Sequence, residues 1–318
     1  MFLSFLQSAI RFSAIFLFGS VGETLTEKSG NLNLGIPGIM CMGGAGGLIG
    51  AAAYIKSLEN ISQMNGPSVV IIAMITAMLF GGLGGLIYSV LTISMRCNQN
   101  VTGLALTTFG IGLLAFVGGT VDTTGFTTVA VYFTKSFPFE EKLGGFGELF
   151  FSYGALVYIA FILAIISAVV IKKTRVGLNL RAVGENPATA DAAGVSVTNY
   201  KYAATMIGSM IAGFGGLFYI MDYLGGNIEY SVDVYGWMAV ALVIFTVWRP
   251  NWAILGSIIF SMLYLAPNYL DVSFAQKEVI KMMPYLVTIV VLVITSIVSK
   301  KESQPPASLG VTYFREER

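Results

Sequence analysis

Residues 68–95 read SVVIIAMITAMLFGGLGGLIYSVLTISM, a run of 28 residues without a charged side chain. A helix of about 20 largely apolar residues is long enough to cross the hydrocarbon core of a bilayer. The run therefore predicts a membrane-spanning helix. The rest of the chain has the same character, because 55% of its 318 residues are hydrophobic and 11% are charged. Its mean hydropathy of +0.77 exceeds that of water-soluble domains.

Eight other apolar stretches flank this run, each bounded by polar residues or by proline and glycine. We therefore expect an all-α integral membrane protein with about nine transmembrane helices. One transmembrane domain covers residues 1–299, and a polar tail that we expect to be mobile covers 300–318. The predicted spans lie at about 5–22, 36–55, 68–95, 102–120, 150–171, 203–222, 236–248, 252–267 and 282–299.

Two of the predicted spans have unusual surroundings. The segment 236–248 is short, and only residues 248–251 separate it from the next, so the two form either two full helices or a broken pair. The segment at 36–55 follows a polar run, residues 31–35, whose backbone needs protein or water partners at membrane depth. Glycines are concentrated in several spans, which favours close packing of helix backbones.

The distribution of lysine and arginine predicts the orientation, because cytoplasmic loops carry the excess of both. Alternate loops hold twelve of these residues on one side and six on the other. The longest loop on the richer side, about 172–202, is then cytoplasmic together with the tail, and the N-terminus is outside. The external loop at 121–149 either meets an extracytoplasmic partner or is a solvated loop with short surface helices.

Composition also excludes several classes of function. The net charge is +1, which gives no reason to expect a nucleic-acid partner. Histidine is absent, and Cys41 and Cys97 stand alone, so neither a metal site nor a histidine-based catalytic site is expected. The sequence also lacks the Gly-x-x-x-x-Gly-Lys-Ser/Thr run that cradles the phosphates of ATP.

The cytoplasmic loop contains the most informative motif, TRVGLNLRAVGENPATADAAGV at residues 174–195. Asn186 suits the N-cap of a short helix, Pro187 suits its first position and Gly194 suits its end. A capped helix at the membrane surface is a rigid element that a docked subunit can push.

This loop resembles the coupling region of ATP-binding cassette (ABC) importer permeases for ribose-like sugars, nucleosides and branched-chain amino acids. The shared pattern is Gly, Leu, Arg-Ala-Val-Gly-Glu-Asn-Pro, alanines, and Gly before an aliphatic residue. A second stretch, residues 22–40, is similar to the Glu, Gly, Asn, Gly, Gly signature of the permeases that import nucleosides with basic-membrane-protein lipoproteins. Those permeases commonly have Glu where this chain has Pro37.

The resemblance implies that the chain is the shorter permease subunit of a nucleoside importer in a bacterial cytoplasmic membrane. It implies a partner ABC ATPase, as separate subunits or a tandem chain, which holds the ATP and Mg. It also implies a second, non-identical permease and an extracytoplasmic substrate-binding lipoprotein. This chain would carry no cofactor and no catalytic residue. Ribose-like sugars and branched-chain amino acids remain alternative cargoes.

Two sets of residues are candidates for function. The resemblance implies that the ATPase contacts Arg181, Gly184, Glu185, Asn186, Pro187 and Asp191. Polar groups in irregular backbone near spans are candidates for the translocation pathway, since such backbone is tolerated where it lines a cavity. The pathway candidates are Asn31, Asn33, Thr107, Thr108, Phe109, Asn227, Tyr230 and Tyr235.

The positions of these polar segments, after the first and the sixth span, also suggest two pseudo-symmetric halves. An ion-coupled secondary transporter or a channel is the main rival, because broken helices occur there too. Ion coupling normally requires ionisable groups inside the bundle. In the sequence, the Asp and Glu residues fall almost wholly in the predicted loops.

Overall fold

The computed structural model describes residues 2–136, 144–228, 231–270, 273–298 and 304–314. Its α-helices are α1 (Phe2–Lys28), α2 (Ile36–Lys56), α3 (Gly66–Ser89), α4 (Gln99–Thr120), α5 (Phe126–Phe133), α6 (Gly144–Phe151), α7 (Ala155–Lys173), α8 (Arg175–Glu185), α9 (Pro187–Ala192), α10 (Val197–Leu217), α11 (Val232–Phe245), α12 (Pro250–Leu265), α13 (Phe274–Lys281) and α14 (Met283–Val298). Two of them continue as π-helical turns, α3 over Val90–Ser94 and α10 over Phe218–Tyr223. The predicted all-α class is confirmed.

The predicted number of nine spans is not confirmed. Within the described ranges, seven helices are long and apolar enough to cross a membrane: α1, α2, α3, α4, α7, α10 and α12. Helix α11 has only 14 residues and α14 is described over 16. Helix α11 ends where Val247 and Trp248 adopt φ angles of 55° and 54°, a left-handed conformation that stops a helix. The two predicted segments around residue 248 are therefore separate helices.

Helices α2 and α10 lie at the centre of the bundle, with α1 and α3 packed against them. Glycines bring their backbones together. A Cβ atom on Gly43 would lie 2.3 Å from the Cα of Gly213, and one on Gly216 would lie 1.9 Å from the carbonyl oxygen of Met40. The expected glycine-mediated packing is confirmed, because no side chain larger than hydrogen fits between these backbones.

Helix α1 is longer than predicted. The apolar run ends near residue 22, yet the helix continues to Lys28 and buries Glu23 and Glu27. Asp222 is likewise buried, in the π turn after α10. The expectation that placed Glu23 and Glu27 in a loop is therefore wrong, whereas Asp222 falls inside the predicted span 203–222. Hydropathy missed the first two because a helix that buries polar side chains against protein has no need of an apolar sequence.

Helices α1 and α10 are antiparallel, since Gly22 contacts Gly208 while Ile15 contacts Gly215. Each leads through an irregular segment into a further helix, α2 after α1 and α11 after α10. This is the correspondence on which the expectation of two halves rests.

The cation-rich loops lie at one end of the bundle, which we name the basic end. Lys28, Arg181 and Arg249 line one cavity there, and Arg96 and Lys201 line another. The opposite end carries the short helices α5 and α6, within the loop predicted at 121–149. Glu140 and Glu141 of that loop lie outside the described residues.

Part of the C-terminal tail has fixed contacts. The backbone N–H of Ser308 donates to the carbonyl of Gly184 at 3.0 Å, and the N–H of Gly310 donates to Gly30 at 3.1 Å. The hydroxyl of Tyr313 donates to Asp191 Oδ2 at 2.9 Å. The expectation of a mobile tail is wrong for residues 304–314, because these bonds fasten them to the basic end.

Candidate functional site

The predicted coupling loop folds into two short helices, α8 and α9, which we name the coupling helices. Thr174 caps α8, because its hydroxyl accepts from the N–H of Gly177 at 3.1 Å. Leu180 and Val183 are buried on one side of α8, while Arg181 lies on the exposed side. This amphipathic pattern lays α8 against the bundle.

Helix α9 is capped as the sequence predicts. Asn186 Oδ1 accepts from the N–H of Thr189 at 3.0 Å, and Pro187 occupies the first helical position. Gly194 follows the helix with a φ of +82°, which favours glycine. The preceding residues Arg181–Glu185 belong to α8, so the predicted motif spans both helices and the bend between them.

Gly184 fixes the coupling helices to α1. A Cβ atom there would lie 2.3 Å from the carbonyl oxygen of Lys28. On its other side, the carbonyl of Gly184 accepts from both the N–H and the hydroxyl of Ser308. The coupling helices are thus held between the end of α1 and the C-terminal segment.

The predicted ATPase contacts divide into two groups. Arg181, Glu185 and Asn186 are exposed. Pro187 is half-buried, Gly184 is buried, and Asp191 is half-buried through its bond to Tyr313. The three exposed side chains can reach a docked subunit directly, whereas Gly184 and Asp191 position the helices that carry them.

A cavity of about 450 Å³ lies beside the exposed group. Its lining includes the cations Lys28, Arg181 and Arg249, together with Glu185. The Trp248 indole at its edge donates to the Glu27 carboxylate. The site is therefore a recess of positive charge, suited to acidic groups.

The polar segment, residues 31–35, enters the bundle from the basic end without forming a helix. Its backbone groups have protein partners, as predicted. The N–H of Leu32 donates to Gln99 Oε1 at 2.7 Å, and that of Asn33 donates to Glu23 Oε1 at 3.1 Å. The carbonyl of Leu34 accepts from the Thr107 hydroxyl at 2.9 Å. Helices α1 and α4 thereby supply the bonds that the segment itself lacks.

The pathway candidates of this region are buried. Asn31 is 1% exposed, and its side-chain amide donates to Thr205 Oγ1 at 3.2 Å. Asn33 is fully buried, and its Oδ1 accepts from the N–H of Gly35 at 2.9 Å. The structure brings Asn31, Asn33 and Thr107 together around one segment. Their place in a pathway stays a prediction.

The remaining pathway candidates are separate from these. The Thr108 hydroxyl donates to Leu104 O at 3.1 Å within α4, and Phe109 is 53% exposed on the same helix. Asn227 is exposed, Tyr235 is buried, and Tyr230 lies outside the described residues. The eight candidates therefore do not form one continuous lining within this chain.

Tyr235 belongs to an aromatic cluster. Its hydroxyl lies 3.3 Å from that of Tyr219 and 3.4 Å from that of Tyr264. Next to this cluster, Arg11 Nε donates to Asp222 Oδ1 at 2.9 Å. Sequence reasoning missed this pair, although a cation and a carboxylate inside separate apolar spans are a recognisable sign of one.

We expect the variant Thr107→Val to lower the free energy of unfolding by about 1 kcal/mol, because it removes one buried hydrogen bond to Leu34. Thermal unfolding in detergent measures this. Thr108→Val is the matched control and should change stability less, since among the described residues its hydroxyl bonds within its own helix. Uptake kinetics altered by Thr107→Val at unchanged stability would instead support a lining role.

Comparison with known proteins agrees with these features. A family model described as the permease component of branched-chain amino acid transport systems matches residues 5–292. The nucleoside ABC transporter permease protein NupC of Lactococcus lactis subsp. cremoris is 27% identical over 96% of this chain and 94% of its own length. The guanosine ABC transporter permease protein NupQ of Bacillus subtilis is 27% identical over 96% and 95%. A putative glucose ABC transporter permease protein of Haloferax volcanii, TsgC13, is 30% identical over 81% and 75%.

Proposed function

Because the chain belongs to the family of permease components of branched-chain amino acid transport systems, we propose that it forms half of the translocation pathway of an ABC importer for nucleosides. The observation that carries this function is the pair of coupling helices, capped, exposed and clamped to α1 at the basic end. The names of two relatives that match nearly the whole chain support nucleosides as cargo.

In this function the coupling helices receive the motion of an ATPase. Arg181, Glu185 and Asn186 form the contact surface, and Pro187 fixes the start of α9. Gly184 and Asp191 transmit the load to α1 and to the C-terminal segment. ATP and Mg bind to that ATPase, which is either two subunits or one tandem chain, and this chain performs no catalysis.

The orientation follows from the position of the coupling helices. An ATPase works in the cytoplasm of a bacterium, so the basic end faces inward, in agreement with the excess of lysine and arginine there. The N-terminus of α1 then faces outward, as does the end with α5 and α6. A substrate-binding lipoprotein would dock at that end, on the external face of the cytoplasmic membrane.

The second permease of the assembly is a non-identical chain in this proposal. One side of α4 packs on α2, while Leu104, Phe109 and Phe116 are exposed on the other. Those side chains face either lipid or the partner permease. Co-purification with a differently tagged copy of the same chain tests for a homodimer, and recovery of both tags would overturn the heterodimer.

Transport energetics test the function as a whole. Proteoliposomes that contain this chain with its partner subunits should accumulate radiolabelled guanosine when ATP is present inside, and should not respond to an imposed proton or sodium gradient. Gradient-driven uptake without ATP would indicate a secondary transporter. This test matters because Glu23, Glu27 and Asp222 lie inside the bundle, where ion-coupled carriers place such groups.

A sugar is the second candidate cargo, favoured by the similarity to the glucose permease protein. Competition decides between the two classes. Excess unlabelled guanosine should abolish guanosine uptake, whereas ribose, glucose and leucine at equal concentration should not. Inhibition of guanosine uptake by ribose, but not by glucose or leucine, would favour ribose-like sugars as the cargo.

A further inference from the structure

A second polar cavity, of about 300 Å³, lies at the basic end next to the coupling helices. The end of α3, the start of α10 and Asp191 of α9 form its walls. Thr312 and Tyr313 of the C-terminal segment close it on a further side. The proposed transport role gives no function to this cavity.

Lys201 contributes an ammonium group to the cavity. The residue is 4% exposed, and no hydrogen bond or ion pair to it occurs within the part of the chain that the structure describes. Lysine is almost never buried unless it is paired, because removing the ammonium group from water is costly. The cavity therefore contains a positive charge without a counter-ion from the described residues.

The start of α10 adds further donors. Ser196 precedes this helix of 21 residues, and its side chain makes no capping hydrogen bond. Val197 and Thr198 of the first turn line the cavity. The N–H groups of a first helical turn point along the axis and, with the helix dipole, favour an anion.

Most of the charged side chains in the described lining are cationic. Arg96 is the second cation in the lining, and its guanidinium lies 4.6 Å from the centre of the Phe314 ring. Asp191 is the carboxylate in the lining, and it accepts a hydrogen bond from Tyr313. Among the lining residues that the structure describes, the two cations outnumber the one carboxylate, which favours a negatively charged occupant.

We infer that this cavity binds a phosphate-type oxyanion, held by Lys201, Arg96 and the first-turn N–H groups of α10. A tetrahedral oxyanion accepts hydrogen bonds from several directions at once, which matches a site built from an ammonium, a guanidinium and a helix start. The bound anion ties the start of α10 to Arg96, which follows α3 and packs on Phe314 of the C-terminal segment. It therefore stabilises the contacts that hold the coupling helices.

Titration of the purified full chain with inorganic phosphate tests the site. The chain is reconstituted in nanodiscs of phosphatidylcholine, which has no net charge, and isothermal titration calorimetry compares phosphate with chloride at equal ionic strength. Lys201→Met should weaken phosphate binding by about tenfold or more, because methionine is nearly as long as lysine but has no charged donor. Lys201→Arg should retain binding. Lys173→Met, an exposed lysine at the end of α7, is the matched control and should bind as the wild type does.

A lipid headgroup carries the same phosphate chemistry, and a second set of nanodiscs distinguishes it from the free anion. If a headgroup occupies the site, phosphatidylglycerol should raise the unfolding temperature of the wild type but not of Lys201→Met, and free phosphate should not bind. Equal responses of wild type and Lys201→Met to both probes would overturn the inference. Should Lys201→Met not fold, Arg96→Gln takes its place, and binding equal to wild type by that variant would overturn it.

Discussion

The variant Gly216→Ala is expected to lower the free energy of unfolding by about 3 kcal/mol, which is the upper part of the range for overpacked cores. The added Cβ would lie 1.9 Å from Met40 O and 2.8 Å from Gly44 N. Both neighbours are backbone atoms of α2, so neither can move aside without shifting the helix. Because α2 and α10 form the centre of the bundle, the displacement spreads to the helices around them. Thermal unfolding in detergent, followed by size-exclusion chromatography, measures the loss.

Gly112→Ala is the matched control, because it adds the same methyl group to another helical glycine. No atom lies within 4 Å of its added Cβ on the exposed side of α4. Alanine is the better helix former by about 1 kcal/mol, so this variant should be as stable as the wild type or slightly more. Equal stability of the two variants would show that α2 and α10 are not packed through their glycines.

The double variant Glu185→Ala/Asn186→Ser should reduce substrate-stimulated ATP hydrolysis by about tenfold, a value within the usual range of coupling free energies. It removes one charged and one amide side chain from the exposed surface of the coupling helices. Serine retains the capacity to cap α9, so the fold of the coupling helices should persist. The measurement is ATPase activity of the reconstituted assembly, with and without its loaded binding protein.

An equivalent pair at the opposite end provides the control. Glu59 and Asn60 are exposed, and Asn60 caps a helical turn as Asn186 does, by accepting from the N–H of Ser62 at 3.1 Å. With the loaded binding protein at saturating concentration, which offsets any weaker docking at this outer end, Glu59→Ala/Asn60→Ser should leave the stimulated ATPase rate unchanged. Full stimulation in the Glu185/Asn186 variant, at normal membrane abundance, would remove these residues from the ATPase contact.

The sequence was sufficient to predict the membrane class, most of the long helices and the caps of α9. Those features depend on local signals: the length of an apolar run, an Asn-Pro pair and a glycine at a helix end. The clustering of cationic loops at one end was also predictable, because lysine and arginine counts alternate with the helices.

Other features depend on contacts between distant residues, which one sequence does not reveal. Glu27 lies in α1 and is buried, with its carboxylate accepting from the Trp248 indole. The apolar run of the sequence ends before this residue. Lys201 resembles any lysine at a helix start until the structure places it in a cavity, with no side-chain bond to any residue in the described part of the chain. The polar composition of the tail predicts mobility, whereas backbone bonds to Gly30 and Gly184 hold residues 304–314.

Those backbone bonds can form only at a late stage of synthesis. Residues 304–314 leave the ribosome after all the helices α1–α14, so the carbonyls of Gly30 and Gly184 wait for partners until the whole bundle has been synthesised. Proteins generally fold from the N-terminal side while they are synthesised. The surface that we propose contacts the ATPase is consequently completed last, and an unfinished chain has coupling helices that lack one of their two attachments.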